Sequence, residues 1–330
     1  MLENFLAPEF TNRLEALFLD PILLKSVLES FQVRKPITVR FNPLANYSKE
    51  TTLSELNKLE LDLTQVSWYQ DAWLVTTPDN INIAKSLESS QAWQAGALYR
   101  QNFSSMIPPV VLNPQLGDQV LDLAAAPGSK TTQLAALMEN SGLILANDTS
   151  YERLFKLKAN LLRLKVTNTT VQQSMGQTIW KNFPHIFDKV LADVPCSMEG
   201  RILATKPETY EHWSEKQLKT LAERQVWLLR SAISATKPGG VVVYSTCTLS
   251  PEENECVVDA AIKKSKKEKI TIEPIQLFSK ILEDSKTLPT SLLGITSWRG
   301  KDLHPDLKNT LRIAPSLWYE GFFVAKLRIN

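Results

Sequence analysis

LDLAAAPGSKTT (121–132) joins an apolar, strand-like run to a stretch of helical spacing through a turn of small residues. Such a turn lets the backbone come close to a ligand and aims the first N–H groups of a helix at it. It is not a Walker A loop: Ser129 separates Gly128 from Lys130, and no glycine lies five positions before Gly128. It lacks the G-x-G-x-x-G pattern as well.

Outward from this turn, strand-like runs alternate with helical stretches. The runs are QVLDLAA (119–125), LILAND (143–148), VTNTTVQQ (166–173), KVLADVP (189–195) and GVVVYST (240–246). Between them lie SKTTQLAALMEN, YERLFKLKANLLRLK and SEKQLKTLAERQVWLLRSAISATK. The second puts Leu154, Leu157, Leu161 and Leu164 on one face. The third opens with Ser214 and Gln217 at capping-box spacing. Strand–helix alternation predicts an α/β fold with a doubly wound, Rossmann-like parallel sheet. EGFFVAKLRI (320–329) adds a last strand.

Residues 1–35 are expected to form one or two short helices, with Leu14, Leu17, Phe18, Ile22, Leu23 and Val27 at helical spacing. Residues 36–110 are expected to form a smaller α+β domain. KPITVRFNPL (35–44) alternates like a strand, and QVSWYQDAWLVTT (65–77) is rich in β-branched and aromatic residues. The pair Pro108-Pro109 is expected to break the pattern, leaving 111–330 as the large domain.

The composition is that of a globular chain: 330 residues, 43% hydrophobic and 22% charged, enough for about two domains. No apolar run reaches the ~18 residues of a membrane span, and the acid-bearing N-terminus lacks a signal peptide's apolar region. Three cysteines, Cys196, Cys247 and Cys256, suit a reducing cytoplasm rather than a disulfide scaffold. With only three histidines and no C-x-x-C pair, no metal site is expected. The net charge of +2 permits a nucleic-acid partner without requiring one. The lysine run KKSKKEK (263–269) is expected to be a solvated helix end.

Three segments carry chemistry. Asp148 ends the second strand twenty residues after Gly128, where an acid can bind both hydroxyls of a ribose. With the small-residue turn, it points to an adenosine-type cofactor. ADVPCSMEGR (192–201) ends the fourth strand, so Asp193, Pro195 and Cys196 are expected in the ligand crevice. YSTCTLSPEENE (244–255) ends the fifth. Its Ser250, Pro251 and Glu253 have the order of an N-cap, a first helical position and a capping glutamate. That order would set Cys247 just before a helix N-terminus, where the dipole lowers a thiol's pKa. Cys256 falls within the following helix and is expected in the core.

These segments resemble the motifs of the Nol1/Nop2/Sun family of RNA cytosine-C5 methyltransferases, which use S-adenosyl-L-methionine. KPITVRFNPL, GALYRQNFSSMIPP (96–109) and LRIAPSLWYEGFFVAKL (311–327) extend the resemblance over roughly 36–328. AAAPGSKTTQ is most similar to the bacterial branch acting on small-subunit rRNA. The resemblance implies a class I methyltransferase sheet, an rRNA or tRNA partner, and a monomer without a further C-terminal RNA-binding domain.

It also implies roles. Cytosine C5 is too weak a nucleophile to attack a methyl sulfonium directly, and a thiolate added to C6 makes it an enamine carbon. The resemblance gives this thiolate to Cys247 and a role in product release to Cys196. Asp193 would hold the base edge and Lys130 would orient the base. Ala124, Ala125, Ala126, Pro127, Gly128, Ser129 and Lys130 would line the cofactor's methionine part, with Asp193 and Pro195 opposite. Asp148 would take the ribose hydroxyls, assisted by Arg153. The family's next acid, which faces the adenine, falls here on Met175. A methionine packs on a ring face but accepts no hydrogen bond from an amino group, so Ser174 or a backbone carbonyl would have to compensate. Arg34, Lys35, Arg40, Trp68, Tyr69 and Trp73 are candidate RNA contacts, though such aromatics are more often core.

A nicotinamide dehydrogenase would need a glycine-rich dinucleotide turn and would have no use for two strand-end cysteines. The alternative is a catalytically degenerate RNA-binding assembly factor on the same fold. The presence of Cys196, Cys247, Asp193 and Lys130 favours the enzyme.

Overall fold

The structure, a computed structural model, describes residues 6–78, 82–265, 268–278 and 288–330. Five parallel strands follow the alternation seen in the sequence: β1 (Gln119–Asp122), β2 (Leu143–Asp148), β3 (Thr169–Gln173), β4 (Phe187–Asp193) and β5 (Thr236–Thr246). Four more strands pair antiparallel beyond β5: β6 (Ile270–Glu273), β7 (Ser291–Leu293), β8 (Leu311–Ile313) and β9 (Phe322–Ile329). The order across the sheet is β7-β8-β9-β5-β4-β1-β2-β3, with β6 paired to β9. Strand order reverses between β1 and β4, so a crevice opens at their carboxyl ends.

The helices α1 (Phe103–Leu112), α2 (Ser129–Leu137), α3 (Tyr151–Arg163), α4 (Glu215–Ala235) and α5 (Glu255–Lys264) cover the sheet. One face packs α4 and α5, through Leu229, Ile233 and Val257, on Val190, Val242 and Phe323. The other packs α1 and α2, through Phe103, Met106 and Leu134, on Val120, Leu191 and Val243. The leucine face of α3 works as its spacing predicts: Leu154, Leu157 and Leu161 close over Ala125, Ala126 and Ala146. Each buried leucine contributes about 1.5–3 kcal/mol. Ser214 caps α4 by accepting from the Gln217 N–H at 3.2 Å.

Pro108 and Pro109 do not break the chain; both lie inside α1. Proline removes a helical N–H donor. The Ser105 carbonyl, which the Pro109 N–H would have served, instead accepts from the Gln101 side-chain amide at 3.2 Å. Gln133 serves the Met106 carbonyl at 2.9 Å.

Residues 38–100 hold a separate four-stranded antiparallel sheet, in the order Asp62–Gln65, Ala72–Thr76, Thr38–Phe41 and Leu98–Arg100. Here four of the six expected RNA contacts become core. Trp68, Tyr69 and Trp73 are buried, and Arg40 is fully so, bonded to Gln101 at 3.0 Å and Thr132 at 2.9 Å. The Trp68 ring N–H donates to the Tyr319 hydroxyl at 2.8 Å, tying this sheet to the large one. Thr38–Phe41 is buried at every position rather than alternating, because both its faces are covered.

Two helices, Pro8–Leu17 and Pro21–Ser30, precede it. Leu14, Phe18 and Val27 join a core with Ile202, Leu249 and Ala314, while Ile22 is exposed. The helical segment is thus built onto the large sheet's loops. Lys263 and Lys264 are exposed at the end of α5 as expected of a solvated run, and Lys266 and Lys267 lie outside the described residues.

Candidate active site

The turn after β1 is held by backbone and acid. Ala125 N–H donates to the Asn147 carbonyl at 2.7 Å, and Ala126 N–H donates to the Asp148 carboxylate at 3.1 Å. Arg153 pairs with Asp148 at 3.3 Å and donates to the Ala126 carbonyl. Gly128 opens α2 at φ +105°, and a Cβ there would meet Leu157 Cδ1 at 2.7 Å, so only glycine fits.

A cavity of about 580 Å³ lies above this turn. Ala124, Ala125, Ala126, Pro127, Ser129 and Lys130 line one wall; Asp193, Pro195, Cys196 and Cys247 line another. Arg153 reaches its edge. Gly128, Asp148 and Met175 stand off the lining. Asp148 is buried behind it, its carboxylate accepting from Ala126 and Ser150 N–H groups. Met175 is exposed just after β3. Ser174 is already committed: its hydroxyl donates to Asn147 at 2.7 Å and its carbonyl accepts from the same amide at 3.2 Å.

Lys130 Nζ is paired with Asp193 Oδ2 at 2.7 Å and donates to Ser105 Oγ at 2.8 Å. The other Asp193 oxygen accepts from Ser245 Oγ at 2.8 Å. The sulfurs of Cys196 and Cys247 are 3.4 Å apart, and neither is in a disulfide. This contact first, then burial and the nearby Glu253, hold the Cys196 thiol well above the usual range, so it keeps its proton.

The two cysteine loops are knitted together by acids that the sequence reading missed or misassigned. Glu199 accepts from Thr248 Oγ1 at 2.9 Å, Leu249 N–H at 3.1 Å and Ser250 Oγ at 2.7 Å. Reciprocally, Glu253 accepts from the Ser197 N–H at 3.0 Å and from Gln225 at 2.7 Å. Burial raises Glu253 to about 7. The expected cap at Ser250 is therefore not formed. Pro251–Asn254 is a run of turns, α5 starts at Glu255, and Cys247 is farther from the helix end than its spacing implied. Ser250 and Glu253 are withdrawn from capping because they clamp the opposite loop. Arg13 also donates to Ser250 Oγ at 3.0 Å. Gly200 N–H donates to the Cys247 carbonyl at 3.0 Å.

Asp122 also lines the cavity; burial lifts it to about 7, against a hydrogen bond from Thr131. Its signal was its place at the end of the first strand. Arg201 and Glu320, paired at 3.2 Å, complete the rim. Cys256 lies in α5 but is only half-buried, with its thiol pushed up to about 12 by burial and neighbouring acids. Among the described residues no cluster of His, Cys, Asp or Glu is arranged to hold a metal ion, and no helix is long and apolar enough to cross a membrane.

A doubly wound sheet with a cavity at its switch point and two thiols on neighbouring strand ends has the architecture of a Rossmann-like methyltransferase. The family described as 16S rRNA methyltransferase RsmB/F matches residues 109–328, two thirds of the chain. The chain belongs to that family, within the Nol1/Nop2/Sun RNA cytosine-C5 methyltransferases. It is 35% identical over 299 residues to a tRNA (cytosine(49)-C(5))-methyltransferase of Pyrococcus abyssi, covering 89% of each. It is 34% identical over 317 residues to a human 28S rRNA (cytosine(4447)-C(5))-methyltransferase, covering 92% of this chain but 36% of the relative. Against an Erwinia tasmaniensis ribosomal RNA small subunit methyltransferase F it is 33% identical and spans 63% of that relative. The solved structure of a methyltransferase homolog protein from Pyrococcus horikoshii superposes with a TM-score of 0.75 at 31% identity, covering 98% of this chain and 99% of that one. The chain thus spans about a third to nine tenths of these curated relatives.

Proposed function

We propose that the protein transfers a methyl group from S-adenosyl-L-methionine to C5 of a cytosine in rRNA or tRNA, through a covalent adduct between Cys247 and C6. The observation that carries this reading is the Cys196–Cys247 contact at 3.4 Å beside the Lys130–Asp193 pair, in one cavity at the ends of β1, β4 and β5.

The residues present fit the cofactor. Three alanines and a proline leave the turn's backbone open to a nucleoside-sized group, and Asp148 with Arg153 braces that turn from behind. S-adenosyl-L-methionine, when bound, supplies an electrophilic methyl. Asp193 accepts from the 4-amino group of the base, and from N3–H once N3 is protonated in the adduct, and Lys130 fixes that carboxylate in place. Cys247 adds to C6 as its thiol proton passes to N3 of the base; the resulting enamine makes C5 nucleophilic, and the N3 proton leaves to solvent once the ring is restored. After methylation the C5 proton passes to Cys196 as the Cys196 proton passes to the Cys247 sulfur. The C6–S bond breaks and the C5=C6 double bond returns, leaving two thiols. A thiol kept protonated against its neighbour's sulfur suits this hand-over.

C6 is closed to attack inside a stacked duplex, so the target is a flipped or looped base. Three unbridged cysteines support a reducing, cytoplasmic setting. Radiolabelled methyl transfer to total RNA tests the activity. Bisulfite sequencing of rRNA and tRNA from a deletion strain identifies the target, and full cytosine-5 methylation at every site in that strain contradicts the reading.

A further inference from the structure

A second cavity, of about 520 Å³, adjoins the catalytic one. The two share Arg100, Gln101, Asn102, Met198, Arg201 and Glu320 as lining, so they form one continuous trough. The far wall is the chain after the second N-terminal helix, from Val33 to Thr38. Opposite it runs the Arg201–Thr209 segment, anchored by the Ala204 N–H bond to the Phe31 carbonyl at 2.8 Å.

Charge is concentrated here. Arg34, Lys35, Arg100, Arg201 and Lys206 face only two acids, Glu208 and Glu320, in a chain whose whole net charge is +2. The cations divide by task. Lys35 donates to the Ser30 and Ser316 carbonyls, at 2.8 Å and 2.5 Å, and so fixes the wall. Arg201 is held by Glu320. Arg34 and Lys206 are exposed and have no ion-pair partner among the described residues; Arg100 makes only a long pair with Glu88 at 3.7 Å. Met198 stands where the cavities meet. It is 52% exposed and sits at φ +60°, a left-handed conformation that disfavours any residue with a Cβ. The loop thus keeps an apolar side chain at a rim position whose backbone suits glycine.

Resting on the methyltransferase reading, we infer that this trough seats the nucleotide next to the target in the same RNA strand. Arg34, Arg100 and Lys206 take its phosphates, and the Met198 thioether parts it from the target base. Single-stranded RNA fits this surface: open basic cations track a backbone, and an apolar side chain between neighbouring bases unstacks them.

The test is equilibrium binding of a short labelled single-stranded RNA with one central cytosine to wild type and to Arg34→Ala/Lys206→Ala, at several salt concentrations. Both residues are exposed, so folding is spared. The double variant should lose about tenfold in affinity at low salt, and its log–log salt slope should fall by about 1.4 for two lost phosphate contacts. Cytidine monophosphate, which reaches only the catalytic cavity, should bind both proteins alike. Unchanged RNA affinity and slope in the variant overturn the trough. Methyl transfer by the wild type to total RNA is read in parallel. Transfer with no binding loss in the variant sinks the trough alone, and binding loss without wild-type transfer sinks the methyltransferase reading alone. A wild type that binds no RNA overturns both.

Discussion

Lys130 and Asp193 join the first residues of α2 to the end of β4 by an ion pair of 2.7 Å, with Lys130 almost wholly buried. In the proposed reaction the pair links the turn that would hold the cofactor to the strand end that would face the base. Asp193→Asn keeps the shape and removes the charge, leaving a buried ammonium short of its partner. Loss of one preorganised electrostatic partner typically costs about 10²–10³ in kcat. Steady-state kinetics should show that loss with a smaller change in S-adenosyl-L-methionine affinity. An unaltered kcat would remove Asp193 from the mechanism.

Asp148→Ala deletes the acceptor for Ala126 and Ser150 N–H groups and the partner of Arg153. Loss of charge-assisted bonds should weaken cofactor binding by about 1.5–3 kcal/mol, or one to two decades in Kd. Calorimetry checks this, with Tm as the control for a slackened turn. Wild-type affinity would show that the cofactor does not depend on Asp148 bracing this turn.

Much of this arrangement was legible in the sequence, because strand–helix alternation makes a parallel sheet and a parallel sheet gathers the loops after its strands at one edge. β1, β4 and β5 therefore bring Lys130, Asp193, Cys196 and Cys247 together as their spacing implied. Local signals misled where tertiary partners compete with them. Glu253 has the position of a capping glutamate, yet it is drawn to Ser197 and Gln225 across the crevice. Pro108 and Pro109 read as breakers, yet Gln101 replaces a missing donor. Trp68 faces inward because the large sheet packs against it, and Trp73 because helices cover the other side of the small sheet, which no single segment announces.

Glu253 also sets a pH dependence. Its folded pKa, raised from 4.5 to about 7 by burial, means the folded state holds a proton that the unfolded state releases. Its contribution is full below pH ~4.5 and is lost as pH rises through ~7. Relative to Glu253→Gln, the wild type should lose about 3 kcal/mol of stability over that window. Urea midpoints of both proteins at the two ends of the window measure the difference, and parallel pH profiles would refute it. The comparison cancels the acids whose pKa values are lowered, such as Glu252, which act in the opposite direction.

Gly200→Ala probes the floor under the nucleophile. A Cβ at Gly200 would fall 2.0 Å from the Gly321 carbonyl, and Gly200 N–H carries the Cys247 carbonyl. Overpacking costs about 1–3 kcal/mol. The variant should melt lower and turn over more slowly; a wild-type Tm would show that the two loops are free to part.

In the proposed reaction the two thiols divide the labour, and adduct mapping separates their roles. Cys247→Ala should transfer no methyl and form no adduct. Cys196→Ala should methylate once and then accumulate as an RNA-linked band that survives denaturing electrophoresis, and the double variant should lose the band. Mass spectrometry of the trapped Cys196→Ala species should find RNA on Cys247. No trapped species together with full turnover in both single variants would contradict the covalent mechanism, and RNA linked to Cys196 in Cys247→Ala would reverse the assignment.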